Sequence, residues 1–233
     1  LGLDFRGHGG SDDGPTTFGY LEVEDVAGAL TWLGDRGIRR VALFGTSMGG
    51  GTAIASLVVL GDGTLQSADL DPDAPVSPSP PIRPRIVAVV GDSVAAALPS
   101  VVASRVPGGP LRGIISKSLF RAASRRVGGD IRATEPARII GLVERVPLLL
   151  IHGDADSMLP IRDGRRLAAL AGPSAEHWIV PGAEHSGAHA TAPAAYEARV
   201  TAFLRRAFGE ARDAAILGAT VAVEGAPAGP GGW

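Results

Sequence analysis

Three side-chain types at particular places in this 233-residue chain could together cleave an acyl bond. The first is a serine. Val41-Ala-Leu-Phe-Gly-Thr-Ser-Met-Gly-Gly50 begins as an apolar, β-branched run and stops at Gly45-Thr-Ser-Met-Gly49. A small-residue helical pattern, Gly50-Gly-Thr-Ala-Ile-Ala-Ser-Leu57, comes immediately after. Strand, sharp turn and helix in that order put Ser47 at the apex of a Gly-x-Ser-x-Gly turn, which pushes Oγ out of the sheet edge. A Cβ at position 45 or 49 would collide with the neighbouring strand or helix. The helix after Ser47 aims backbone N–H groups, that of Met48 first, at negative charge developing beside the serine. The plainer alternative is a glycine-rich turn with an incidental serine.

A serine needs a base, and the base needs an orienting acid. Val146-Pro-Leu-Leu-Leu-Ile-His-Gly-Asp-Ala-Asp156 is a buried-strand run ending in a turn with two carboxylates, and His177-Trp-Ile-Val-Pro-Gly-Ala-Glu-His185 is a short strand ending in a loop with a histidine. Each candidate follows the C-terminal end of a strand, where ligands gather in open α/β sheets. The chain order Ser, Asp, His differs from that of chymotrypsin and of subtilisin. Among the five histidines, His185 directly follows a strand exit and is the base candidate. His8 sits in a glycine turn, His152 closes a strand and bonds backbone in the acid loop, His177 is a strand residue, and His189 starts or caps the next element.

Several look-alikes fail. His185-Ser-Gly-Ala-His189 lacks the glutamate of a zinc helix motif and carries a central glycine. Asp154-Ala-Asp156 lacks the glycine that a calcium loop needs at its sixth position. Gly91-Asp-Ser93 resembles the nucleophile motif of a different esterase fold, but no Asp-x-x-His occurs downstream; Ser93 is expected at the pocket rim. Asp69, Asp71 and Asp73 read as a solvated loop.

The elements that must carry these residues alternate. Leu1 to Phe5 reads as a strand and Glu22 to Gly34 as a helix with Val23, Val26, Leu30 and Leu33 at helical spacing. Arg39 to Phe44 is the strand before the serine, and Gly50 to Leu60 its helix. The segment 61–84 is a proline-rich insertion, and Ile86 to Val90 a strand. Residues 94 to 145 are mostly helical. Pro147 to Ile151, a helix over 162–171, the strand His177 to Val180 and a closing helix over 192–208 complete the pattern. Residues 209–233 form a partly disordered C-terminal tail, in which Ile216 to Val223 is a further short element and Gly225 to Trp233 is disordered.

On these residues the chain resembles the α/β-hydrolase superfamily, in particular its small-cap esterase branch, similar to dienelactone hydrolases and serine aminopeptidases. The resemblance covers residues 1–208. It rests on Leu3-Asp-Phe-Arg-Gly-His-Gly-Gly-Ser11, Thr16-Thr-Phe-Gly-Tyr-Leu-Glu-Val-Glu-Asp25, the Ser47 turn, His152-Gly-Asp-Ala-Asp-Ser-Met-Leu-Pro160 and Pro181-Gly-Ala-Glu-His185. It implies a three-layer α/β-hydrolase fold with a mostly parallel sheet, N-terminally truncated, and a cap over residues 94–145. It places the acid on Asp156, with Asp154 as the alternative, and the base on His185. It also implies that the first strand matches the family's fourth. The strand beside it and the loop carrying a second oxyanion donor would then precede Leu1, leaving Met48 N–H as the assignable donor. The alternative is a compact variant whose first strand pairs directly with the strand before Ser47.

The implied activity is hydrolysis of a small-molecule carboxyl ester through an acyl-enzyme, with no cofactor and no metal. A peptidase or amidase of the same fold, or a catalytically silent scaffold, are the alternatives. At 45% hydrophobic content the chain can bury one substantial core. A net charge of −2 gives no basic footprint for nucleic acid. Without cysteine there is no thiol nucleophile, disulfide or Cys-ligated metal. No apolar run approaches the roughly 18 residues of a membrane helix. The expected location is the cytoplasm.

Overall fold

The apolar runs pack as parallel strands between helices in a computed structural model that describes residues 1–61, 83–105, 112–143, 145–209 and 222–223. In chain order the elements are α1 (Glu22–Asp35), β1 (Arg40–Thr46), α2 (Met48–Leu60), β2 (Arg85–Asp92), α3 (Leu98–Arg105), α4 (Arg112–Val127), α5 (Pro136–Ile139), β3 (Leu148–Gly153), α6 (Ile161–Ala171), β4 (Ala175–Val180), α7 (Ala188–Thr191), α8 (Pro193–Phe208) and β5 (Ala222–Val223). The strands form one sheet in the order β4-β3-β2-β1-β5, every pair parallel. Parallel sheets are covered on both faces, which is why β2 and β3 are apolar almost without interruption.

One face meets α1, α2 and α6 through Val41, Leu43, Ile86, Val89, Leu148 and Leu150, packed on Val26, Leu30, Ile54, Leu57 and Leu167. The other meets α8 through Ala88, Val90, Leu149, Ile151 and Val180, packed on Tyr196 and Phe203. Fully burying each of these Ile, Leu or Val side chains is worth about 1.5–3 kcal/mol. The pairing of β1 with β2 shifts at Val41/Ala42, where Ile86 and Ala88 are the successive partners and Val87 is the extra residue. That bulge lets Ile86 and Val89, three apart, face the same layer. A smaller cluster of Leu98, Phe120 and Ile131 joins α3 and α4 to Tyr20.

Leu1–Phe5 forms no strand, which corrects the sequence expectation and its variant in which this segment pairs with β1. The neighbour of β1 on that side is β5. Phe5 is buried against the α1–α2 layer, but the backbone beyond it turns on itself: Gly10 N–H donates to Asp4 Oδ2, and Gly7 N–H to Asp12 C=O. Phe5, with Leu3 partly buried beside it, therefore serves as an apolar anchor, while Leu1 is exposed. α2 begins two residues earlier than its small-residue pattern suggests, immediately after Ser47. Nearly all of the proline-rich insertion, including Asp69, Asp71 and Asp73, lies outside the described residues, as do Ile216 to Val221 and the tail expected beyond Gly225. Among the described residues, no helix is long and apolar enough to cross a membrane.

Candidate active site

The turn between β1 and α2 is tight enough to dictate its residues. Ser47 adopts φ +49° and ψ −114°, a conformation costing about 1–3 kcal/mol for a non-glycine residue. A Cβ on Gly45 would lie 2.3 Å from the carbonyl carbon of Gly49, so only glycine fits there. Ser47 N–H donates to the Asp92 C=O at the end of β2 (2.8 Å), which fixes the apex against the neighbouring strand. Met48 opens the 13-residue α2, and its N–H belongs to the first turn, whose donors have no intrahelical acceptor.

Two loops converge on this turn. The loop after β3 carries Asp156, whose side chain is 0% exposed. Its Oδ1 accepts the N–H groups of Met158 (2.9 Å) and Leu159 (2.7 Å), and its Oδ2 lies 2.9 Å from His185 Nδ1. Burial pushes the Asp156 carboxyl up. The His185 hydrogen bond, the Leu159 N–H and the nearby His185 and His152 together outweigh it and hold the group below the ordinary aspartate range. The loop after β4 carries His185, whose Nε2 lies 3.0 Å from Ser47 Oγ. A carboxylate only accepts, so Nδ1 carries the proton and Nε2 faces the hydroxyl as an acceptor. The two loops press together: a Cβ on Gly153 would sit 2.0 Å from the Ala183 carbonyl oxygen, and Glu184 accepts both the N–H and the hydroxyl of Ser157.

Other sequence candidates are placed elsewhere. Asp154 accepts the Gly182 N–H (2.6 Å) at the surface and has no bond to His185. His152 is buried, and its Nε2 donates to the Leu159 C=O (3.0 Å), bracing the Asp156 loop from beneath. His177 lies in β4; burial, then the charges of His152 and Arg165, lower its pKa. His189 pairs with Glu197 (3.2 Å), and His8 bonds the Arg6 C=O. Ser93 is fully buried, which corrects its expected place at the pocket rim. It is packed under the site, a position that spacing alone could not reveal. Among the described residues no group of three or more His, Cys, Asp or Glu is arranged to hold a metal ion.

Beside Ser47 opens a cavity of about 360 Å³ lined by Phe18, Met48, Leu98, Val102, Leu119 and Met158, among others. Glu135 also borders it, but its carboxylate is 2% exposed and already holds Arg132 (2.9 and 3.2 Å), Arg138 (3.1 Å) and the Leu98 N–H (3.2 Å). The cavity therefore presents hydrocarbon next to a hydrogen-bonded Ser–His–Asp chain.

Comparison with known proteins agrees with this architecture. The model of the alpha/beta hydrolase family matches residues 1–199. The uncharacterized protein YfhR of Salmonella typhi is 26% identical over 187 residues, 78% of this chain and 53% of that protein, so this chain spans about half the length of such relatives. The Pyrococcus furiosus esterase Pf2001 superposes with a TM-score of 0.59 at 24% identity, over 88% of this chain and 69% of that one. A puromycin-hydrolyzing peptidase of Mycobacterium tuberculosis superposes at 0.55 with 20% identity, over 84% of this chain and 26% of that one. At these identities the two solved structures share the fold.

Proposed function

This chain belongs to the alpha/beta hydrolase family, and from that premise we propose that it is a serine hydrolase cleaving small carboxyl esters. The observation that carries this reading is the continuous chain from Ser47 Oγ through His185 to the buried Asp156, 3.0 and 2.9 Å at its two joints. Ser47 Oγ attacks the acyl carbonyl carbon while His185 Nε2 takes its proton; Asp156 keeps Nδ1 protonated and stabilises the imidazolium that forms. Met48 N–H, at the positive end of α2, donates to the oxygen that becomes negative; one such donor is worth about 10²- to 10³-fold in rate. The alcohol leaves with the proton from His185. Water then attacks the acyl-serine by the same route in reverse.

The cavity supports an uncharged, apolar substituent on the ester. Its one carboxylate among the described residues, Glu135, is fully engaged by two arginines and a backbone N–H. In this reading α3 and α4, within the stretch 94–145 expected to form a cap, act as a small cap, because they supply Leu98, Val101, Val102 and Leu119 to the cavity wall.

The test uses a fluorophosphonate probe and a pair of substrates, p-nitrophenyl butyrate and butyryl-p-nitroanilide. Labelling should map to Ser47 and vanish in Ser47→Ala, and the ester should turn over faster than the anilide. Labelling that survives Ser47→Ala, or that maps to Ser93, sinks the assignment. Faster anilide cleavage makes the protein an amidase of the same site.

A further inference from the structure

Strained backbone gathers around this site. Among the described residues the non-glycine positions with positive φ are Phe18, Ser47, Ser93 and Ser186. Phe18 and Ser47 line the cavity, and Ser186 directly follows His185. Ser93, at φ +53° and fully buried, has no place in the chemistry described above. Residues held this way persist only where their surroundings over-determine them.

The contacts of Asp92 and Ser93 show what over-determines them. Asp92 C=O accepts the Ser47 N–H, 2.8 Å. Ser93 N–H donates to the Ile151 C=O on the acid strand, 2.9 Å. Ser93 Oγ accepts the Ser186 N–H at 3.0 Å and donates its own proton to Asp92 Oδ1 at 2.9 Å. Asp92 Oδ2 accepts the hydroxyl of Tyr196 on α8, 3.0 Å. The residue pair at the end of β2 thus touches the nucleophile turn, the acid strand and the base loop at once. The Asp92 carboxylate orients the Ser93 hydroxyl, so that its lone pair and not its proton faces Ser186. Tyr196 holds the carboxylate in turn.

We propose that Ser93, oriented by Asp92 and Tyr196, is a positioning residue that sets the reach of His185 Nε2 to Ser47 Oγ. The inference rests on the reading of those two residues as base and nucleophile. The Ser186 N–H is the backbone donor one residue past the base. Releasing it frees the loop that sets the 3.0 Å contact. Misplacement on the scale of 1 Å can cost about 100-fold in rate.

The variant of choice is Ser93→Gly. Glycine adopts φ +53° without penalty, so the backbone at 93 is relieved while the hydroxyl is lost. Fluorophosphonate labelling, steady-state p-nitrophenyl butyrate kinetics and thermal melts are measured on wild type and variant, the kinetics well below both melting temperatures. The expected result is labelling and kcat slowed by about 10- to 100-fold, with KM within about threefold. The melting temperature should stay within a few degrees of wild type. Tyr196→Phe, which removes only the outermost donor, should slow labelling by a smaller factor in the same direction. Should Ser93→Gly fail to fold, Ser93→Ala decides in the same assay. Labelling within threefold of wild type, or a loss carried by KM alone, overturns the proposal while leaving the hydrolase reading intact. A wild-type protein that neither labels at Ser47 nor turns over ester brings down both.

Discussion

Replacing Asp156 by asparagine tests the proposed orienting role of the carboxylate apart from its structural one. Oδ1 of Asp156 accepts two backbone N–H groups, from Met158 and Leu159, so the amide oxygen of the substituted side chain must take that side. The NH₂ group then faces His185 Nδ1, where Oδ2 stood at 2.9 Å. Two donors cannot meet, so the imidazole switches tautomer and presents Nε2–H to Ser47 Oγ. A base in the wrong tautomer cannot accept the serine proton, and this change costs about 10⁴ in kcat where the geometry is otherwise kept. For this site the expected loss is about 10³- to 10⁴-fold, or about 4–5.5 kcal/mol of transition-state stabilisation at about 1.36 kcal/mol per decade. Ser47→Ala and His185→Ala should each cost more, and similarly to each other, because the members act as a unit. Asp154→Asn should change the rate by less than about threefold, since an amide oxygen can still accept the Gly182 N–H and that bond nets about 1 kcal/mol. The assay is kcat/KM on p-nitrophenyl butyrate for the four variants, with circular dichroism to verify folding. If Asp154→Asn proves the more damaging, or Asp156→Asn keeps activity within tenfold of wild type, the tautomer argument is wrong.

The geometry carries three further expected outcomes. Gly45→Ala forces a Cβ to 2.3 Å from backbone at Gly49, so the turn must open; urea midpoints should fall and fluorophosphonate labelling of Ser47 be lost together. Gly51→Ala meets only the Pro136 ring at 3.5 Å and Val94 at 4.0 Å inside α2, so it should stabilise by about 0.5–1 kcal/mol and raise Tm by about 1–4 °C; a lowered Tm contradicts the reading of that space. Asp156 is held below its unfolded value, so its charge contributes stability that is fully present above about pH 4 and is lost as pH falls through the lower native pKa. The gap in urea midpoint between wild type and Asp156→Asn should therefore shrink from pH 7 to pH 3, and a gap independent of pH counts against the assignment of the shift.

Local pattern makes the layers legible. β1, β2 and β3 are apolar runs bounded by turn residues, and the buried face of α1 follows its 3.6-residue period. The pattern starts β4 at His177, two residues late, because Ala175 and Glu176 carry no apolar signal. Leu1–Phe5 misleads because its apolar residues gain burial only at Phe5 and partly at Leu3, and a strand also needs a neighbour with free backbone groups. That Ser47 and His185 would come together as candidates is legible from the turn and the strand exit, and they lie 3.0 Å apart. Asp156 is not separable from Asp154 by spacing. The difference comes from the pressing of the β3 and β4 loops at Gly153, which points Asp156 inward and leaves Asp154 on the Gly182 N–H. Ser93 and Asp92 are beyond reach for the same kind of reason. Their partners Ser186 and Tyr196 lie 93 and 104 residues away, and side-chain bonds across such distances leave no periodic trace.

The strain at Ser47 and Ser93 has a common origin in the sheet. Because β1, β2, β3 and β4 run parallel, their C-terminal ends share one edge, and each chain must turn away there within a residue or two. Ser47 and Ser93 each sit one residue beyond the last residue of their strands with φ near +50°, and Ser186 takes φ +55° in the loop beyond β4. At about 1–3 kcal/mol each, these turns are a large demand on a domain of ordinary stability. They are tolerable because the strands behind them are pinned on both faces by fully buried residues such as Ile54, Val89, Leu148 and Leu149. The same rigidity makes the site responsive to one hydrogen bond. A loosely packed edge would let the His185 loop relax around a missing Ser93 hydroxyl, whereas here that loop is held between Ser93 and the Asp156 loop, so losing the Ser186 anchor shifts His185 without a compensating repacking. A loss confined to kcat in Ser93→Gly is therefore the signature expected of a rigid edge, and a compensated, wild-type kcat that of a plastic one.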